Sequence, residues 1–151
     1  MTFGFVNGGF KKLRTVIHCN FDLCTGCAIC QMACAQVKTG GTNPRSALLE
    51  IKKEGLIYRP EVCAQCQNAF CLQVCSFEAI YRNDENRVLI DAAKCTGCGL
   101  CVEACQINMV SLDQRYKKAI KCDLCGGNPA CVEFCPTGAL EKITLGGNAG
   151  A

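Results

Sequence analysis

The sequence lacks most of what would build a conventional apolar core. Its 151 residues include no tryptophan, and aromatic residues make up only 7% of the chain. Aromatic side chains bury the largest areas in a core, so some other component must fill the interior of this protein. No run of 18 consecutive apolar residues occurs, which argues against a membrane-spanning helix and against direct membrane insertion.

Motifs for nucleotide cofactors and for haem are also absent. The sequence has no G-x-G-x-x-G, no Walker A motif, no C-x-x-C-H haem site and no nucleophile with a base in view. We therefore expect no flavin, nicotinamide, haem or pterin on this chain. The 16 Lys and Arg residues against 13 Asp and Glu, with no long basic run, also argue against nucleic acid binding.

Cysteine, in contrast, is abundant, at 17 of 151 positions. In a small secreted chain such a fraction would indicate a disulfide framework. The first residues, MTFGFVNGGFKKLR, have glycines and an asparagine where a signal peptide has its apolar core, so we expect a cytoplasmic location. In that compartment thiols stay reduced, and dense cysteines indicate metal binding.

Sixteen of the 17 cysteines fall into four quartets, which form two kinds. The first and third quartets share the spacing C-x2-C-x2-C-x3-C, and the second and fourth share C-x2-C-x4/5-C-x3-C. This internal repeat indicates four similar sites. In chain order the quartets are Cys24, Cys27, Cys30 and Cys34; Cys63, Cys66, Cys71 and Cys75; Cys95, Cys98, Cys101 and Cys105; and Cys122, Cys125, Cys131 and Cys135.

In the first and third quartets the last gap is one residue longer than the others. Three cysteines at three-residue steps let a tight loop surround one compact cluster, and Gly26 and Gly97 give that turn its backbone freedom. The fourth cysteine lies where a short helix is expected to have begun, about 6 Å further along the axis. It therefore overshoots the first cluster and reaches a second one, as in two-cluster bacterial ferredoxins. The spacing predicts 4Fe-4S clusters that share ligands between quartets.

Other uses of clustered cysteines explain the spacing less well. Structural zinc also uses paired C-x2-C, but a zinc site closes with four thiols and needs no triplet. A disulfide framework fits a chain with a signal peptide better than this one. A Rieske 2Fe-2S centre requires two histidines, and the chain has one. Zinc and disulfides remain the alternatives to four 4Fe-4S clusters.

The segments between the quartets predict short strands and helices. Residues 79–91 and 109–121 each read as two β-rich runs around a polar turn, which is typical of a hairpin. A third hairpin is predicted from residues 48–51 and 56–59, with its turn at 52–55. The remaining predicted elements are a strand at 15–18 and helices at 28–37, 98–106 and 129–135, with Pro129 in the first turn of the last helix.

The arrangement from about Arg14 to Ile143 resembles the four-cluster ferredoxin-like subunits of molybdenum and tungsten pterin oxidoreductases. This group includes subunits of the dimethyl sulfoxide reductase, formate dehydrogenase and aldehyde ferredoxin oxidoreductase types. The stretch KCDLCGGNPACVEFCPTGAL, residues 121–140, carries the resemblance best. Only Cys135 is followed by the usual proline, so the sequence departs from the family pattern after the other three quartets.

The resemblance implies an α+β fold made of two bacterial ferredoxin-like modules, each with two 4Fe-4S clusters, short hairpins and short helices. An outer module, from the first and fourth quartets, is nested around an inner module from the second and third. Pairing of the first quartet with the second is the rival arrangement. The implied ligand sets are site A, with Cys24, Cys27, Cys30 and Cys135; site B, with Cys122, Cys125, Cys131 and Cys34; site C, with Cys63, Cys66, Cys71 and Cys105; and site D, with Cys95, Cys98, Cys101 and Cys75.

The glycine-rich ends of the sequence predict an N-terminal arm (1–13) before the four-cluster domain (14–143) and a flexible tail (144–151) after it. The resemblance implies the extent of the two modules and the partners. The inner module would span about 60–106, and the outer module 14–59 with 107–143. Function would be electron transfer without catalysis, beside a large catalytic subunit and a flavin or other redox subunit, with bridging of repeated complexes as a further hypothesis. The alternatives are a free polyferredoxin, or a subunit of a carbon monoxide dehydrogenase or hydrogenase.

Some residues close to the quartets have two readings each. Cys19 lies outside every quartet, and we expect a buried small side chain on the first strand rather than a spare ligand. His18 is expected to be structural rather than proton-coupling. The lysines nearest the ligands in sequence either offset cluster charge or are solvated surface residues. They are Lys94, Lys118 and Lys121.

Overall fold

The computed structural model describes residues 13–146, so most of the predicted N-terminal arm and C-terminal tail lies outside it. Short strands and short helices alternate along the described chain. The strands are β1 (Arg14–Cys19), β2 (Leu49–Glu54), β3 (Ile57–Val62), β4 (Ile80–Arg82), β5 (Val88–Ile90), β6 (Val110–Leu112), β7 (Ala119–Lys121) and β8 (Leu140–Leu145). The α-helices are α1 (Ile29–Thr39), α2 (Phe70–Gln73), α3 (Leu100–Ala104) and α4 (Ala130–Glu133), with 3-10 turns at Pro44–Ser46 and Leu124–Gly127.

Strand β1 pairs antiparallel with β8, from Arg14 opposite Leu145 to Cys19 opposite Leu140. Strand β1 ends just before the first quartet, and β8 begins just after the fourth. Their pairing therefore brings the two outermost quartets side by side, and α1 packs against α4 in the same region. The sequence predicted the first strand but not this partner. Strand β8 runs two residues past the domain end predicted at 143, because those residues pair with β1.

The other three sheets are hairpins between successive quartets. Strands β4 and β5 pair across the predicted turn between the second and third quartets, and β6 and β7 pair between the third and fourth. Strands β2 and β3 pair as far as Glu54 opposite Ile57, so their turn is Gly55–Leu56 rather than 52–55. Gly55 has φ +62°, which suits a tight two-residue turn. An ion pair between Lys52 and Glu61, at 2.7 Å, supports the longer strands.

The helices are short, and two differ from their predicted bounds. Helix α1 is close to the predicted 28–37 and is capped at its C-terminal end by Gly40, whose φ is +74°. Helix α3 stops before Cys105, which has an extended backbone, so the predicted 98–106 was too long. Pro129 caps α4 in an extended conformation (ψ 117°) and does not lie in the first turn as predicted. Helix α2 was not predicted, because four residues carry no helical periodicity.

The interior consists of two apolar clusters in which cysteine is prominent. In the first cluster, five of the ten buried residues are cysteines, from the first, second and fourth quartets. The second cluster has nine buried residues, three of them cysteines of the second and third quartets. It also contains Val110 and Ala119 of the β6–β7 hairpin, although the predicted boundary at 106 assigned them to the outer module. Within residues 13–146, every helix is too short or too polar to cross a bilayer.

Candidate iron-sulfur cluster sites

The cysteines of sites A and D surround two similar cavities. At site D, three cysteines of the third quartet and Cys75 of the second line one cavity. At site A, three cysteines of the first quartet and Cys135 of the fourth do the same. The empty volumes are close, about 330 Å³ at site D and about 290 Å³ at site A. Among the described residues, no charged side chain lines either cavity.

Site C is a larger cavity, and charged residues form part of its wall. Its lining includes three cysteines of the second quartet and Cys105 of the third. Arg14 and Lys121 line the same cavity. Both residues are buried, with only 7% of their surface exposed. Gln65 lies between them and is completely buried. Sites A, C and D therefore have the same pattern of three cysteines from one quartet and one from another, but only site C has cations in its wall.

The cysteines of site B are close neighbours in the interior. Burial raises the pKa of Cys131, and the nearby thiolates of Cys122, Cys34 and Cys125 raise it further. Cys34, the last cysteine of the first quartet, is therefore adjacent to three cysteines of the fourth. Helix α1 is tied to the same place by an ion pair between Lys38 and Asp123. The Asp123 side chain also accepts a hydrogen bond from the backbone N–H of Cys125, at 2.9 Å.

Backbone N–H groups point at the last cysteine of each quartet. The N–H of Leu48 donates to the sulfur of Cys34, and the N–H of Met109 donates to the sulfur of Cys105, both at 3.2 Å. Hydrogen bonds to a cysteine sulfur stabilise its thiolate form. The first and third quartets therefore present their last sulfur in a similar local structure.

The second and fourth quartets end in a donor-rich turn. Burial alone would raise the pKa of Cys75 and of Cys135. The pKa of each is nevertheless lowered, because backbone N–H groups of the following turn donate to the sulfur. The hydroxyl of Thr137 adds a side-chain hydrogen bond at Cys135. These two thiols favour the deprotonated state that a metal ligand requires.

The third residue of each leading C-x-x-C loop has a positive φ. Gly26 and Gly97 have φ +73° and +76°, as the sequence predicted for the repeated CTGC loops. In the second and fourth quartets the same position holds Gln65 and Leu124, with φ +46° and +59°. Such a conformation is strained for residues with a side chain and persists where the surroundings fix it. Both side chains are completely buried, so packing holds these two loops in shape.

Replacing Gly97 with alanine is expected to lower the free energy of unfolding by about 2 kcal/mol or more and to reduce occupancy of site D. The new methyl group would overlap the backbone oxygen of Lys117, which cannot move without disturbing the β6–β7 turn. Gly40→Ala is the control, because Gly40 also has positive φ but faces open space. Its cost is expected to be about 1 kcal/mol. Denaturant unfolding measures the stability of both variants, and iron analysis measures their cluster content. An equal loss of stability in Gly97→Ala and Gly40→Ala would contradict the role of the Lys117 contact.

The four cysteine sets follow one another in the order A, B, C, D. Cys30 of site A is close enough to raise the pKa of Cys131 of site B, after the effect of burial and the nearer thiols. Burial raises the pKa of Cys122 of site B to about 12, and Cys63 of site C adds to that rise. Burial likewise raises the pKa of Cys101 of site D, with a contribution from a site C thiol. Each set is thus adjacent to the next.

The donor set fits the expected cofactor. All 17 cysteines are free thiols, with no disulfide among them. Cys27, Cys66 and Cys98 are exposed, so sites A, C and D each reach the surface through one cysteine. Within residues 13–146, no three Cys, His, Asp or Glu side chains converge on the position of a single metal ion. Sets of four thiols around a shared cavity are suited to a 4Fe-4S cluster, whose ligands are four thiolates.

The lysines close to the quartets, Cys19 and His18 differ in their exposure. Lys94 is an exposed surface residue, whereas Lys118 donates to the carbonyl oxygen of Cys95 and Lys121 is buried. Cys19 is half-buried at the end of β1 and packs against the first apolar cluster. Burial raises the pKa of Cys19 to about 11, with smaller contributions from nearby thiols. His18 is exposed on the same strand.

Comparison with known protein families identifies the domain. A family described as a 4Fe-4S dicluster domain matches residues 55–144, which is more than half of the chain. The chain belongs to the 4Fe-4S dicluster domain family. A second family, described as a 4Fe-4S binding domain, matches residues 21–39 around the first quartet. The prediction that the cysteines bind 4Fe-4S clusters is confirmed at this level.

Individual relatives confirm the resemblance seen in the sequence. Hydrogenase-4 component A of Escherichia coli is 43% identical over 81 residues, which cover 52% of this chain and 38% of the relative. The formate dehydrogenase iron-sulfur subunit of Wolinella succinogenes is 31% identical over 97 residues, covering 60% of this chain and 48% of the relative. The chain thus spans less than half the length of each of these two relatives.

A solved structure shows a similar fold. The active site complex BamBC of benzoyl coenzyme A reductase contains a chain with a TM-score of 0.52 and 21% identity. The match covers 88% of this chain and 81% of that one. The likeness supports a small mixed fold of short strands and short helices, as predicted.

Sequence reasoning missed two residues that the structure places at site C. Arg14 was named only as a boundary of the domain, and Gln65 was read only as part of a C-x-x-C loop. Gln65 had one available signal, because it occupies the position at which the first and third quartets have glycine. A residue with a side chain at that position requires packing to hold it. Arg14 had no signal in the sequence, since β1 reaches site C only in the folded chain.

Proposed function

We propose that this protein is an electron-transfer subunit that holds four 4Fe-4S clusters at sites A, B, C and D and relays single electrons between them. The observation that supports the proposal is that the four cysteines of sites A, C and D each line one cavity, while Cys122, Cys34 and Cys125 of site B lie close enough to Cys131 to raise its pKa. Each such cluster supplies one-electron redox chemistry, with a potential set by charge, hydrogen bonds to sulfur and solvent access.

Each set takes three cysteines from one quartet and one from another, which supports a nested pair of modules. The outer module would use the first and fourth quartets, joined by the β1–β8 sheet and by the contact of α1 with α4. The inner module would use the second and third quartets, joined by the contact of α2 with α3. The domain would run from about residue 14 to the end of β8, with the arm and the tail outside it.

The proposed role is relay rather than catalysis. Every proposed ligand is a cysteine thiolate, so each iron has a protein ligand and none is left for a substrate. The chain's own task is to position the clusters, to supply N–H donors to their sulfurs and to shield those in the interior. The order A, B, C, D gives a path with two ends, and Cys27 at one end and Cys98 at the other are both exposed.

We propose a large catalytic subunit as the partner at one end and a redox donor or acceptor, such as a flavin subunit, at the other. Membership of the family and the formate dehydrogenase relative support an enzyme of the molybdenum or tungsten pterin class. Within that class, the resemblance of the sequence favours the aldehyde oxidoreductase type. One relative is named as a hydrogenase component. A hydrogenase is therefore the alternative catalytic partner that the experiment must distinguish from a pterin enzyme.

Metal content tests the number of clusters. Anaerobically purified protein is expected to contain about 16 iron and about 16 acid-labile sulfide per chain, because each of four clusters holds four of each. Iron and sulfide assays on protein of known concentration measure this directly. About eight of each would reduce the proposal to a two-cluster protein, and zinc without sulfide would contradict it.

Purification from the native organism tests the partner. A tagged copy of this chain is expected to co-purify with a subunit that contains tungsten or molybdenum together with a pterin, detected by metal analysis and mass spectrometry. Co-purification of a nickel-containing subunit instead would assign the chain to a hydrogenase or carbon monoxide dehydrogenase. Recovery of the chain alone, fully loaded with iron, would support a free polyferredoxin.

A further inference from the structure

Two buried cations line the cavity at site C. Arg14 and Lys121 both line the cavity at site C with its four cysteines, and each is only 7% exposed. Among the described residues, the lining of site C includes no aspartate or glutamate. The cavities at sites A and D have neither cations nor anions in their described lining. Site C is therefore electrostatically different from both ends of the path.

The ammonium group of Lys121 is held in a fixed position. Its Nζ donates to the carbonyl oxygen of Val88 at 2.6 Å and to that of Cys122 at 3.0 Å. The completely buried amide of Gln65 bridges the same two residues. Its Nε2 donates to the oxygen of Cys122, and its Oε1 accepts from the N–H of Val88, both at 2.8 Å. The charge of Lys121 therefore cannot swing away from the site without breaking this network.

Neither cation is neutralised by a carboxylate in the described part of the chain. The four ion pairs found within residues 13–146 involve other side chains. The NH1 group of Arg14 donates to the backbone oxygen of Gln65, at 3.2 Å, and the partners of Lys121 are also neutral carbonyls. A buried charge is costly unless an anion compensates it. The cysteine thiolates that line the same cavity can supply this negative charge.

The thiols around the two cations respond to them. Burial raises the pKa of Cys71, and the positive charge of Lys121 is the largest effect that opposes this rise. Lys121 also opposes the burial-driven rise in the pKa of Cys122. Arg14 acts in the same direction on Cys66, where burial and two neighbouring thiols raise the pKa. The cations therefore lie within electrostatic range of sites C and B.

We propose that Arg14 and Lys121 are built-in counterions of the cluster at site C and give it a higher reduction potential than the clusters at sites A and D. Reduction adds one negative charge to a cluster, and a fixed positive charge nearby favours the reduced form. The inference rests on the proposed function, since it requires a cluster at site C. Its consequence is that an electron entering from either end is held more strongly at site C than at the site where it entered.

Redox titration of the anaerobically purified full chain tests this role. In Lys121→Met, the signal of the cluster at site C is expected to shift to a lower potential, by at least a tenfold change in the reduction equilibrium, or about 59 mV for a one-electron couple. The signal is assigned to site C by its loss or alteration in Cys66→Ser. Lys121→Arg keeps the charge and is expected to retain a potential near that of the unaltered protein.

Lys94→Met is the matched control. Lys94 precedes Cys95 in the sequence as Lys121 precedes Cys122, but Lys94 is exposed. The substitution Lys94→Met therefore removes the same charge from the surface. Its four potentials are expected to be unchanged, because an exposed charge is screened by solvent. Equal shifts in Lys94→Met and Lys121→Met would overturn the inference, as would no shift in Lys121→Met.

A second variant keeps the inference testable if Lys121→Met binds less iron. Arg14→Met removes the other buried cation and is expected to lower the same signal, whereas an unshifted signal in that variant would overturn the inference. Iron and sulfide analysis of the unaltered chain distinguishes failure of the proposed function from failure of this inference alone. Absence of clusters would overturn the proposed function together with this inference, whereas full loading with unshifted potentials would overturn the inference alone.

Discussion

A Cys105→Ser chain is expected to lose the cluster at site C, although Cys105 belongs to the third quartet. The reason is that Cys105 lines the same cavity as the three leading cysteines of the second quartet. Serine oxygen is a poorer ligand than thiolate for an iron-sulfur cluster, so the iron content is expected to fall from about 16 to about 12 per chain. Iron and sulfide assays and the spectra of the reduced protein measure the loss.

A crossed comparison makes this prediction specific. If ligands are shared between quartets, Cys105→Ser has the same spectroscopic effect as Cys66→Ser at site C. By the same reasoning, Cys75→Ser matches Cys98→Ser at site D, because Cys75 lines that cavity. The opposite pairing, with Cys105→Ser matching Cys98→Ser, would mean that each quartet holds its own cluster and would contradict the nested arrangement. Cys19→Ser is the control and is expected to keep full iron content.

The sequence predicted the features that repeat at short range. Quartet spacing, the hairpins at residues 79–91 and 109–121, and the turn glycines Gly26 and Gly97 all depend on local rules of spacing and backbone conformation. Each is present in the described structure. These features needed no knowledge of the tertiary structure, because each is complete within about a dozen residues.

The features that the sequence did not reveal depend on contacts between distant segments. Strand β8 forms because it pairs with β1, more than 120 residues earlier, and its own composition is only weakly strand-like. Lys121 looks like one of several lysines next to a ligand, and only folding distinguishes it from Lys94 by burying it. Gln65 gains its role because Val88 and Cys122 converge on its amide. No local pattern encodes that convergence.

Removing the clusters is expected to unfold the protein. Half of the buried residues in the first apolar cluster are cysteines, so the interior of this region is built around thiols rather than around large apolar side chains. Structural metal sites contribute on the order of 10 kcal/mol, which is comparable to the whole stability of a typical domain, about 5–15 kcal/mol. Loss of several clusters would therefore exceed the stability that the remaining core provides.

Far-UV circular dichroism and hydrogen exchange before and after treatment with a chelator and an oxidant measure this effect. The amides of β1 and β8 are expected to lose protection, because one end of their pairing, at Cys19 and Leu140, lies next to the first and fourth quartets. Addition of iron and sulfide under reducing conditions is the control and is expected to restore both signals. Iron-free protein that melts cooperatively within a few degrees of the loaded form would contradict the prediction.

The buried cations give a further reason for the unfolding. Without thiolate clusters, Arg14 and Lys121 remain in the interior with only neutral carbonyl partners among the described contacts. Breaking a buried charge pair by removing one partner typically costs about 3–5 kcal/mol. Lys121→Met removes one of these charges, so the iron-free form of this variant is expected to keep more residual structure than the iron-free unaltered chain. Far-UV circular dichroism of both chains after removal of the clusters measures this difference, and an equal loss of signal in the two would contradict it.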